Sequence, residues 1–338
     1  MRHRHRAALL AASFAWLSSS SSNFVEAMDA QERMRHRETV REMFHHVYGG
    51  YKEFAFPHDE LRPLSKTHTD SLVELGAGAP TRSRYHGVAL TLIDSLDTLA
   101  IIGNYSEWSW AVNYVSSHVS FDQDAEVSVF ETNIRVLGGL LSAHLLASGS
   151  IKGAGHLAIH GYRGDLLRLA VDVGERLLSA FDGCGKLPRA FVNLRGGTAR
   201  QNGKREQCTA GVGTLLLEFG TLSRLSLDSR FEEAALCALR LLWSKRSTRD
   251  LLGNTLDVTT GSWRNPSSGI GAGIDSFYEY ALKSYLVFGD TELCEPAAAA
   301  SAAAIHAVVV ISACDLLHVL PSPPHSPCHL VPRLRLRR

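Results

Sequence analysis

The stretch FETNIRVLGGLLSAHLL, residues 130–146, decides the fold class. Phe130, Ile134, Leu137, Leu141 and Leu145 recur at helical spacing and predict a core stripe. Glu131 and Arg135 stand one turn apart on the neighbouring face, which is otherwise apolar or small. An acid and a base at this spacing ordinarily make a solvated, helix-supporting pair. Here Gly138, Gly139, Leu140 and Leu141 predict burial instead. A second stretch, GIGAGIDSFYEYALK (residues 269–283), repeats the theme, with Asp275, Glu279 and Lys283 forming a turn-by-turn polar line beside Phe277, Tyr278 and Tyr280. Carboxylates with aromatics are the composition of a sugar site, because glycoside hydrolysis uses two positioned carboxyl groups and pyranose faces stack on rings.

Outward from these stretches the chain reads as a series of helices. Val40, Met43, Phe44, Val47, Tyr48 and Tyr51 repeat at helical spacing, as do Leu166, Leu169, Ala170, Val173 and Leu177, and Leu215, Leu216, Phe219 and Leu222. The best strand candidate lies in 251–263, where Thr259-Thr260-Gly261 is placed to close a hairpin between Leu256-Asp257-Val258 and Ser262-Trp263. Nearly all-apolar helices at 130–146 and 208–219 are each followed by a more amphipathic one, at 165–180 and 231–243, which predicts inner and outer layers. Periodicity supports a large all-α domain.

With 338 residues and 45% hydrophobic content the chain is long enough to bury a sizeable core. Lys plus Arg (35) balances Asp plus Glu (34), so composition points to no nucleic-acid partner. The N-terminus runs from alternating Arg and His through an apolar run, 7–17, to serines at 18–22; this is the layout of a secretory signal peptide over 1–22. Asn104-Tyr105-Ser106 is a glycosylation sequon, which agrees with that route. The six cysteines lack metal-ligand spacing, which argues against zinc, and their pairing is unreadable. Cys237, among Ala234, Leu236 and Leu239, is expected to be a small buried apolar residue. Asp94 and Asp97 read as a metal pair or, at least as well, as buried helix-terminal hydrogen-bond partners. The histidines read as surface or satisfied core residues, and the tryptophans as core or loop anchors.

At the two carboxylate-bearing stretches the sequence resembles the class I α-mannosidases, glycoside hydrolase family 47, and within them the ER degradation-enhancing α-mannosidase-like branch. The same resemblance continues in order through MFHHVYGGYKEFAFPHDELRPL from Met43, LTLIDSLDTLAIIGN from Leu90, FVNLRGG from Phe191, CTAGVGTLLLEFGTLSRLSLD from Cys208, RFEEAALCALRLLWSKRS from Arg230 and LLGNTLDVTTGSW from Leu251. It covers residues 33–293 and implies an (α/α) barrel of helix hairpins, seven in the family and incomplete here. It also implies inverting hydrolysis of α1,2-linked mannose on high-mannose N-glycans in the ER lumen, with Ca2+ helping to hold sugar and water. Carried over by motif, Glu131 corresponds to the acid and Asp275 to a second catalytic carboxyl. Arg135 corresponds to the arginine beside the acid; Glu218, Glu279, Asp59 and Glu60 correspond to acids that line or support the pocket, and Asn104 is the expected glycosylation site. Misfolded glycoproteins are the implied clients, with an ER oxidoreductase or chaperone as a further partner class.

Beyond Leu293 the composition changes to an alanine run (297–304), an apolar run to Cys314 and a proline-arginine tail. This 294–338 segment reads as low-complexity. Its alanine content and His306 argue against a membrane span. The resemblance places the remaining base carboxylate and the calcium-ligating threonine in later helices, beyond the matching region. Three readings follow: a mannosidase acting in ER glycoprotein degradation, a mannose-binding partner without catalysis, and an inactive product with an open half-barrel.

Overall fold

Helix forms at every strongly patterned stretch. The computed structural model describes residues 28–75, 85–197 and 205–289, so the signal-peptide layout of 1–22 and the 294–338 tail lie outside the described residues. Two compact units divide the chain, one up to Gly49 and one from Gly50 onward. The first helix, α1 (Ala30–Phe54), begins in the first unit. There Phe44 stacks on Tyr48 at 5.5 Å, and Tyr48 is buried. The expected apolar stripe of α1 is split. Val40, Met43 and Val47 share one face and are exposed, because the apolar positions spread over a wider arc than the covered side spans.

The second unit is layered. Its helices are α2 (Leu90–Ile101), α3 (Tyr105–His118), α4 (residues 129–147), α5 (Asp165–Leu178), α6 (Thr209–Gly213), α7 (Leu216–Ser226), α8 (Arg230–Trp243) and α9 (Asp275–Phe288). Successive helices pack as pairs, α2 with α3, α4 with α5 and α7 with α8. The first members also touch along the chain, α2 to α4, α4 to α7 and α7 to α9, and so do the second members, α3 to α5 and α5 to α8. Two layers result, the inner one formed by the more apolar helices, as their patterning predicts. Leu215, Leu216, Phe219 and Leu222 are all buried, although the 208–219 run is broken at Thr214 into α6 and α7. Trp108 is a core anchor, its indole N–H donating to the Leu157 carbonyl at 3.0 Å.

Short antiparallel ribbons tie the layers' ends: β1 (Glu60–Arg62) with β2 (Thr67–Thr69), β3 (Glu126–Ser128) with β4 (Phe191–Asn193), and β5 (Glu206–Cys208), β6 (Thr255–Asp257) and β7 (Trp263–Asn265) in one sheet. The β6–β7 hairpin pairs Leu256 with Trp263. Asp257 Oδ1 accepts from the Thr259 and Thr260 amides, and Gly261 takes φ +67° to reverse the chain. Cys237 departs from its expected role: it is half-buried and disulfide-bonded to Cys184, whose loop meets α8 with the two Cα atoms 4.7 Å apart. The pairing is invisible in sequence because the partners stand 53 residues apart.

Candidate functional site

Helix α4 carries the candidate residues Glu131 and Arg135, and its hydrogen-bond register changes there. Ser128 caps its start, its hydroxyl accepting from the Glu131 amide at 3.3 Å. One α-turn, Val129–Glu131, passes into a π-helical stretch, Thr132–Leu137, and then into regular α-helix, Gly138–Ala147. Such π-turns are frequent at functional sites. The predicted stripe is displaced accordingly. Leu137 and Leu141 are buried, but Phe130, Ile134 and Leu145 are half-buried, while Thr132, Asn133 and Val136 take core positions.

Within this turn Arg135 Nε donates to Glu131 Oε2 at 2.9 Å. Glu131 keeps 17% of its side chain accessible and Arg135 40%. Arg135 Nη1 also lies 3.8 Å from Asp94 Oδ2 on α2. Neither Asp94 nor Asp97 is a helix-terminal partner; both stand mid-helix on α2, and Asp97 Oδ2 accepts from the Ser142 hydroxyl of α4 at 2.9 Å. Asp94 keeps 38% of its side chain accessible, and partial desolvation, opposed by Arg135 and reinforced by Asp97 and Glu131, pushes it up to about 6. Gly139 explains the close approach of α2. A Cβ on Gly139 would lie 2.9 Å from the Ile93 carbonyl oxygen of α2, whereas one on Gly138 would make only ordinary contact with Glu218 of α7, at 3.6 Å.

Glu218 is 8% exposed. Its two oxygens accept from Asn133 Nδ2 and from the Tyr280 hydroxyl, each at 2.7 Å. Desolvation nonetheless pushes it up to about 7, the hydrogen bonds from Tyr280 and Asn133 only partly offsetting that cost. The second polar line has a different character. Asp275 is the first residue of α9 and is exposed, as are Glu279 and Lys283, which pair with each other at 2.5 Å. Burial expected of these carboxylates is therefore met at Glu131 and Glu218 and not along α9.

Asp59 and Glu60 are adjacent in sequence and opposite in role. Asp59 is 0% exposed. Its oxygens accept from the Leu72, Val88 and Leu90 amides and from the Tyr85 hydroxyl, so it holds the entry to α2 together. Glu60 is exposed on β1 and borders an open surface depression of about 410 Å³ along the β1–β2 ribbon, which includes none of Glu131, Arg135, Glu218, Asp275 or Glu279. Asn104 sits at the N-cap of α3, half-exposed, with the Ser106 hydroxyl 3.5 Å from its side-chain oxygen. Among the described residues no group of three or more His, Cys, Asp or Glu side chains is arranged to hold a metal ion. From sequence Asp94 reads as one of a metal pair or a helix-terminal partner and Tyr280 only as an aromatic flanking the second line; the structure places Asp94 beside Arg135 and Tyr280 against Glu218. Asn133, which also holds Glu218, escaped the sequence reading, its only signal being its place in the FETNIR segment.

Comparison with known proteins bears directly on this arrangement. The sequence signature of glycosyl hydrolase family 47 matches residues 43–317. Alpha-mannosidase I MNS5 of Arabidopsis thaliana is 53% identical over 273 residues, covering 80% of this chain and 46% of that protein. The human ER degradation-enhancing alpha-mannosidase-like protein 2 is 44% identical over 266 residues, covering 78% and 43%. The chain thus spans less than half the length of these curated relatives. Among solved structures, the alpha-1,2-mannosidase from Trichoderma reesei superimposes with a TM-score of 0.68 at 27% identity, covering 81% of this chain and 54% of that one.

Proposed function

The chain belongs to glycosyl hydrolase family 47, and on that premise we propose that it recognises terminal α1,2-linked mannose of high-mannose N-glycans and protonates the departing glycosidic oxygen with Glu131. The observation that carries this reading is the Glu131–Arg135 pair where α4 passes into its π-turn, with Glu131 largely enclosed. A general acid works within reach of the sugar oxygen yet sheltered from bulk water, and Glu131 is 17% accessible. Arg135 orients the carboxyl through Nε and leaves its remaining N–H groups for sugar hydroxyls. Asp275, exposed at the head of α9, is the second carboxyl of the proposal. Relatives named for ER degradation and for the ER mannosyl-oligosaccharide reaction support action in the ER, on misfolded glycoproteins as clients. Glycosylation of Asn104 belongs to the same reading, as does an ER oxidoreductase or chaperone partner. Calcium is implied by the family, but the described residues do not build a cradle for it: Glu131 and Asp94 are both already turned to Arg135. No step is therefore derived through it.

A second reading, recognition of mannose without cleavage, is favoured by the exposure of Asp275 and the pairing of Glu279 with Lys283. One experiment separates the two. Mannose release from a high-mannose glycan and glycan affinity are measured for the wild-type chain and for Glu131→Gln. The proposal expects release to fall by about 10²–10⁴-fold with affinity retained, because the amide keeps the shape and cannot donate an acidic proton. Binding without release by the wild type supports the second reading, and absence of both sinks the first and the second alike.

A further inference from the structure

Glu218 touches both carboxylate-bearing helices at once. Asn133, which donates to its Oε2, lies in the π-turn two residues from Glu131 and two from Arg135. Tyr280, which donates to its Oε1, lies on α9 beside Glu279 and five residues after Asp275. The surroundings are built for this contact. Asn133 Nδ2 also reaches the Thr214 carbonyl at 3.3 Å, the Thr214 hydroxyl meets Ser276 of α9 at 2.8 Å, and Gly213 lets Phe277 pack where a Cβ would overlap it at 2.3 Å. Asn133 Oδ1 is buried without a partner, so turning the amide over would offer an acceptor to a protonated Glu218.

We infer that Asn133 and Tyr280 are positioning residues that act through Glu218, which serves as a brace fixing the π-turn that follows Glu131 and carries Arg135 against the α9 helix of Asp275. Its bearing on glycan binding rests on the function proposed above; the brace itself does not. Two charge-assisted hydrogen bonds aimed at one nearly enclosed carboxylate are stronger than neutral ones and directional, so they set the distance between the helices and resist its change. The groups facing Glu218 are Asn133 from α4, Tyr280 from α9 and, by charge, Lys283 from α9.

Amide hydrogen exchange on the full chain tests this without reference to activity. Tyr280→Phe should speed exchange of the 132–137 amides by about tenfold or more, the loss expected for one hydrogen bond to a charged group. Exchange in Asp165–Leu178, which lies outside the brace, should stay unchanged. Glu218→Ala should reproduce the effect, and Glu218→Gln, which keeps the shape and can engage both neighbours once the Asn133 amide turns, should leave protection near wild type. In Tyr280→Phe the Glu218 carboxyl, followed by carbon NMR, should titrate above its wild-type midpoint of about 7, since a bond to its ionised form is lost. Unchanged exchange at 132–137, or an equal loss of protection in Asp165–Leu178, would overturn the brace. The same samples are titrated with α1,2-linked mannobiose. If the wild type binds, the Phe variant should bind more weakly; if the wild type does not bind, the glycan reading fails while exchange alone decides the brace.

Discussion

The two acidic lines of this protein set a glutamate and a basic residue at the same spacing and end in opposite environments. Glu131 and Arg135 are four residues apart on α4, and Glu279 and Lys283 are four apart on α9; each pair is joined by one short hydrogen bond. On α9 both partners are more than half accessible, and the pair is a surface feature. On α4 the acid is largely enclosed, a second acid from α2 approaches the same arginine, and a buried carboxylate lies across the helix. Helical spacing alone does not separate a site from a solvated face. What separates them is the neighbouring surface: Gly139 lets α2 come close to α4 and Glu218 of α7 is buried against it, whereas α9 turns Leu282, Lys283, Leu286 and Val287 outward.

The largest effect expected on stability is at Glu218. A glutamate ordinarily ionises near 4.5, and in the folded chain Glu218 does so near 7. Between these values the unfolded chain is deprotonated while the folded one still holds the proton, so its contribution to stability declines as pH rises through that window and is flat below it. Glu218→Gln should remove the dependence, gaining roughly 3 kcal/mol over wild type at pH 8 and almost nothing at pH 4, because each tenfold difference in proton affinity between the folded and unfolded chain is worth about 1.4 kcal/mol. Denaturant melts at the two pH values check this; an equal difference at both would remove Glu218 as the titrating group.

A smaller effect is expected at Asp94. With its ionisation raised to about 6, its charge is lost as pH falls through 6, and with it an acceptor next to Arg135. Mannobiose affinity should therefore drop a few-fold from pH 7 to pH 5 in the wild type and stay level in Asp94→Asn. A pH profile identical in both proteins would place Asp94 outside the binding surface. The smallest effect belongs to the α9 pair: Lys283→Ala should change stability by no more than about 0.5 kcal/mol, because an exposed helix pair is screened by water and salt. A loss several times larger in the same melts would mean that the second line is as consequential as the first.

Much of this was legible in the chain itself. The stripes of α5 and α7 and the β6–β7 hairpin read directly, because each rests on local spacing or turn chemistry. The predominance of helix and the family resemblance were legible for the same reason. The π-turn was not, since a shift of one hydrogen bond leaves composition and near-helical spacing intact. Asp59 reads as a pocket acid until its partners are seen; apart from the Tyr85 hydroxyl they are the backbone amides of Leu72, Val88 and Leu90, 13 to 31 residues away, which no side-chain motif records. The contact of Glu218 with Tyr280 spans 62 residues, and the Cys184–Cys237 bond spans 53. Tertiary contacts of this kind join residues that sequence spacing cannot pair.

Whether sugar is met at the head of α4 is decided by mapping amide and side-chain NMR shifts of the full chain during titration with α1,2-linked mannobiose. Saturable shifts are expected at Glu131, Arg135 and Asp94, with little change along Glu60–Arg62 and Thr67–Thr69. Shifts confined to that ribbon and its open depression, with residues 131–135 unmoved, would contradict binding at α4.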